Sequence, residues 1–138
     1  MPAAITHHEA LIYVMVTISA VDRAMSDEEL SRIGQIVSNL PVFADYDENT
    51  LVQTAQACGE ILSADDGLNK VLGLVKRTLP STLRETAYAL AVEVAAADLQ
   101  IQKEERRFLE LLSDTLEISK LVVAAIERGA RARHRTVS

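Results

Sequence analysis

Aromatic residues are scarce in this chain: Phe43, Phe108, Tyr13, Tyr46 and Tyr88 are all it has, and tryptophan is missing. A core built from it must be aliphatic, and stacking platforms for bases or sugars are nearly absent. Cysteine is limited to Cys58, so no internal disulfide is available. Histidine is as sparse (His7, His8 and His134), too few and too scattered for a zinc or di-iron site in a core. No Glu-x-x-His, Cys pair, Walker loop or Gly-x-Ser-x-Gly occurs, which leaves no recognisable catalytic machinery. The longest largely apolar stretch, Ala10 to Val21, falls well short of the ~20 residues a membrane span needs. No secretory signal is read at the start of the chain, and a cytoplasmic setting is expected.

What is there is the composition of a soluble globular protein. The chain has 138 residues, 49% hydrophobic and 25% charged, which predicts a single domain over 1–138 with one core. The net charge of −6 is uneven. Residues 1–60 carry nine acids against Arg23 and Arg32, whereas Arg128, Arg131, Arg133 and Arg135 crowd a basic tail, 128–138. An acidic body argues against nucleic acid as a partner, because that binding rests on neutralising phosphates.

Apolar residues recur at helical spacing almost throughout, so the fold class is all-α, a compact bundle of about seven helices. Thr6 with Glu9 reads as a capping box opening a helix to about Ala24, and Ser26 with Glu29 as another, whose helix fades near Asn39 before Pro41. Further helices are expected over Thr50–Leu62, from Asp65 or Asp66 as cap through about Thr78, and from Thr82 to about Asp98. The last two run over Gln102–Thr115 and from a Ser119 cap to about Gly129. The segment from Ala87 to Ala97 is apolar nearly all round and rich in alanine, the mark of a buried central helix.

Shifting the chain by 76 residues aligns Val16 with Val92, Ala20 with Ala96, Asp22 with Asp98, Glu28 with Glu104 and Glu29 with Glu105. Apolar positions agree in kind, as with Met25 and Ile101 or Ile33 and Leu109. An internal duplication of a helix–turn–helix unit is expected, with repeats at about 6–39 and 81–115. Each repeat reads Asp-x-x-apolar-x-x-Glu-Glu. An Asp closing a helix faces the negative end of the dipole and needs compensation. In one reading it accepts turn N–H groups, while Glu29 or Glu105 closes the next capping box. In the other, the turn gathers Asp and Glu around a cation.

Helix, small residues, Asp, short turn, apolar residue, then Glu opening the next helix, twice over, resembles the TerB-like tellurite-resistance family. The resemblance covers most of the chain and is strongest at 20–36 and 96–112. Family members carry Gly after the Asp, where this chain has Arg23 and Leu99. The resemblance implies a helical bundle, a bacterial cytosolic setting, no established enzymatic activity, and acids suspected of binding metal. Carried over by position, the metal ligands are Asp22, Glu29, Asp98 and Glu105, with Glu28 and Glu104 beside them. All-oxygen ligands suit calcium, magnesium or manganese.

Other residues have plainer readings. Glu93 has no counterpart in the first repeat, where Thr17 stands; it faces solvent, pairs with an arginine, or works with Asp98 as part of an enzyme. Cys58 reads as a small buried hydrophobe. The arginines of the tail favour a helix C-terminus and then fray. The DNA-reading use of a helix–turn–helix is rejected, because the second helices begin with acids. The expectation is a noncatalytic helical protein whose acidic turns hold a divalent cation; the alternative is a protein–protein interaction module in which those acids only cap helices.

Overall fold

A computed structural model describes residues 4–21, 25–96 and 101–137. All regular structure among them is helical: α1 (His7–Ala20), α2 (Asp27–Asn39), α3 (Leu51–Ser63), α4 (Gly67–Thr78), α5 (Arg84–Ala96), α6 (Lys103–Thr115) and α7 (Lys120–Arg133). Short 3-10 turns at Pro41–Phe43, Glu48–Thr50 and Ser81–Leu83 lead into or between them.

Local chemistry accounts for most of the boundaries. Thr6 accepts the Glu9 N–H at 3.1 Å, and Glu9 accepts the Thr6 N–H at 2.8 Å. Ser26 and Glu29 repeat the arrangement at α2, and Ser119 accepts the Val122 N–H at α7. Pro41 stands two residues beyond α2, where a helix could not continue. The start of α4 differs from expectation. Asp66 holds its N-cap position in a left-handed conformation, φ 58°, and makes no side-chain bond to the backbone; its carboxylate takes the Asn69 amide instead. Gly67 follows because a Cβ there would sit 2.3 Å from the Ile61 carbonyl. The helix is thus set by a close approach of chain to chain.

The core lies around α1 and α5, which pack on each other. α1 is enclosed further by α3 and α4, and α5 by α6 and α7. The central position predicted for the alanine-rich α5 is shared with α1, which is buried on every side from Ala10 to Ser19. Two hydroxyls in that buried stretch are satisfied within the helix: Thr17 donates to the Tyr13 carbonyl and Ser19 to that of Met15. α7 continues a turn past the expected end at Gly129, to Arg133. No helix of the described residues is long and apolar enough to cross a membrane.

Candidate functional site

Glu29 and Glu105 occupy the same place in their helices, the third residue of α2 and of α6. Both are nearly buried, at 6% and 5% exposure. In each, Oε1 accepts the backbone N–H of the residue before the helix, Ser26 at 2.9 Å and Gln102 at 2.8 Å. A carboxylate there also meets the positive end of the helix dipole. Capping therefore engages one oxygen of each. Asp22 and Asp98, the other two sequence-predicted ligands, lie outside the described residues. Glu28 and Glu104 are exposed on the first turns of α2 and α6. Among the described residues, no group of three His, Cys, Asp or Glu side chains is gathered to hold a metal ion.

Residues on either side of the first turn and at the start of α6 border one groove of about 810 Å³. Val21 and Met25 line it from either side of the first turn, and Lys103 and Glu104 from just beyond the second. Its floor is apolar, with Ala20 from α1 and Phe108 from α6. The start of α6 and the residues on either side of the first turn thus share a concavity, which sequence spacing alone did not disclose.

Glu93 resolves to one of its expected alternatives, pairing with an arginine, and adds a histidine. Arg133 donates to its Oε1 through Nε at 3.1 Å and through Nη2, and His134 Nε2 meets its Oε2. Burial alone would push this carboxyl up, but the hydrogen bonds and charges of Arg133 and His134 outweigh it and hold the group below its ordinary value. Arg133, the last residue of α7, and its C-cap His134 thus tie the end of that helix to α5. A second bond ties the same helices, with the buried Tyr88 hydroxyl donating to Glu127 at 2.6 Å. A second groove, about 590 Å³, opens beside the Glu93 clamp between α2 and α5.

The remaining titratable groups of the core have structural work. Cys58 is fully buried, as expected, against Thr17 and the Tyr13 carbonyl. Burial raises its thiol to about 11, so it stays protonated and unreactive at neutral pH. His8 donates from Nε2 to the Val42 carbonyl at 2.8 Å and lies 3.2 Å from Asp45, with its ring against Phe43 and Tyr46. It pins the connection between α2 and α3 to the start of α1.

An all-helical bundle with a buried acid opening the helix after each of two turns is the class these features define. The family model described as Tellurite resistance protein TerB matches residues 8–128, and the chain belongs to this family. Neither curated proteins nor solved structures give a match.

Proposed function

We propose that the chain is a noncatalytic TerB-family module that works by binding, with Asp22, Glu29, Asp98 and Glu105 as oxygen ligands of a divalent cation. The observation that carries the reading is the matched burial of Glu29 and Glu105, each the third residue of the helix that follows its turn. A buried carboxylate is costly unless its charge is compensated. A cation shared with the neighbouring aspartate would compensate such a charge directly. The donor set is all oxygen, which favours calcium, magnesium or manganese over zinc. Backbone carbonyls and water would fill the shell, because calcium takes roughly 6–8 oxygens. The pairing of ligands rests on the two helix–turn–helix units being copies of one another. A bacterial cytosolic role in tellurite or related stress belongs to the same reading.

The second reading, an interaction module whose acids only cap helices, is favoured by the capping bonds themselves. One double variant separates the two. Glu29→Gln with Glu105→Gln keeps an amide oxygen to accept the cap N–H but removes both charges. The cation reading expects millimolar calcium or manganese to raise the wild type's melting temperature and to have little effect on this variant. Asp22→Asn with Asp98→Asn should lose the same response and melt higher than wild type without metal, as repulsion is relieved. A wild type whose melting ignores both metals at millimolar concentration leaves only the interaction module.

A further inference from the structure

α7 packs chiefly on α5 and turns its opposite side to solvent. Leu121, Ala124, Ala125, Arg128, Arg131 and Ala132 follow helical spacing along that outer side, across from the buried Ala130, and all six are exposed. Leu121 is 81% exposed, so a large apolar side chain stands almost wholly in water. Arg135, also exposed, follows just past the end of the helix. No acid stands on this face.

The clamp to α5 uses Arg133, whose charge Glu93 meets. The guanidinium groups of Arg128, Arg131 and Arg135 make no ion pair or hydrogen bond among the described residues. A helix C-terminus favours a cation by its dipole, but Arg133 already fills that role. The one acid of α7, Glu127, accepts from Tyr88 and lies with Glu110 of α6 toward that flank. The protein as a whole carries −6, so the outer face of α7 opposes the charge of the whole. Exposed acids elsewhere include Asp45, Asp47 and Glu48 in the connection after α2, which His8 pins to α1. One helix spacing is ~8–10 Å and the Debye length at physiological salt is ~8 Å, so those acids are largely screened from a surface resting on α7.

We propose that the outer face of α7 docks the protein on a membrane surface rich in anionic lipid, with Arg128, Arg131 and Arg135 at the headgroup phosphates and Leu121 in the apolar layer beneath them. Charge complementarity selects the anionic surface. The exposed leucine distinguishes a bilayer from other phosphate-bearing partners, because a nucleic acid backbone gives it no apolar phase to enter. A flat surface also meets this one face and leaves the acidic remainder in solvent. Each arginine held near such a surface strengthens binding by about fivefold.

Co-sedimentation of the full chain with vesicles tests it, using phosphatidylcholine alone against an equal mixture of phosphatidylglycerol and phosphatidylcholine. The wild type is expected to sediment with the mixed vesicles, to stay in solution with phosphatidylcholine, and to be released by high salt. The triple variant Arg128→Gln, Arg131→Gln, Arg135→Gln should weaken binding to the mixed vesicles by about a hundredfold. Leu121→Ser should weaken it by several-fold. The control triple Lys76→Gln, Arg77→Gln, Arg106→Gln removes the same charge from exposed sites on α4 and α6 and should leave binding within about twofold of wild type. All these positions are exposed, and circular dichroism should show each variant folded as the wild type is. No sedimentation with the mixed vesicles, equal binding to phosphatidylcholine, equal losses in the two triple variants, or binding to a duplex oligonucleotide in place of the vesicles would each overturn the proposal.

Discussion

α1 and α7 are both fourteen residues long, yet α1 buries eleven of them and α7 buries Ala130 alone. α1 is held by aliphatic packing from every side. α7 lies chiefly on α5 and is fastened there by polar bonds, Tyr88 to Glu127 and Glu93 to Arg133 and His134. The difference separates two kinds of attachment in one small domain. Apolar enclosure is sensitive to a change of side-chain volume and little affected by salt, whereas a helix tied by ion pairs responds to titration and to salt.

The largest expected effect falls on the enclosed helix. Ile12→Ala, at a fully buried position, should cost about 2–5 kcal/mol in denaturant unfolding. Leu121→Ala on α7, at a position 81% exposed, should stay within about 0.5 kcal/mol. Similar losses at the two positions would break the comparison.

Next comes the alkaline limb of stability. Cys58 is raised from 9.0 to about 11 by burial, so its contribution is complete below the unfolded value. As pH climbs from there toward the native value, stability should fall by about 1.4 kcal/mol per pH unit from this group. Cys58→Ala should flatten that limb in urea midpoints measured across the range.

A smaller effect belongs to the clamp. Glu93 titrates below its ordinary 4.5 in the native state, so its contribution is present above that value and lost as pH falls through the lowered one. Glu93→Gln should cost about 1 kcal/mol at neutral pH, discounted for partial exposure, and remove this part of the acid limb. Hydrogen exchange should show α7 opening before α1 in the wild type, and the gap widening in the variant.

The sequence disclosed the parts of this fold that depend on neighbours in the chain. Thr6 with Glu9, Ser26 with Glu29 and Ser119 all act within a few residues of themselves, so their helices were legible from spacing. Asp66 was not, because its left-handed backbone answers to the close packing of Gly67 on Ile61 and Leu62. The extension of α7 escaped the pattern because it depends on Glu93, some forty residues earlier. Of the candidate site, the capping roles of Glu29 and Glu105 were readable from the Ser-x-x-Glu and Gln-x-x-Glu spacing. The groove between α1, α3, α4 and α6 was not, since it forms only when those helices come together.

The central claim is that the acidic turns hold a divalent cation, and manganese reports on it directly. Electron paramagnetic resonance of a manganese titration measures free ion, since bound manganese loses much of its sharp signal. The account predicts uptake by the wild type that calcium displaces and that Asp22→Asn with Asp98→Asn removes, while Glu93→Gln leaves it unchanged. A free-ion signal rising in proportion to added manganese from the first addition, with wild type and double variant indistinguishable, would contradict it.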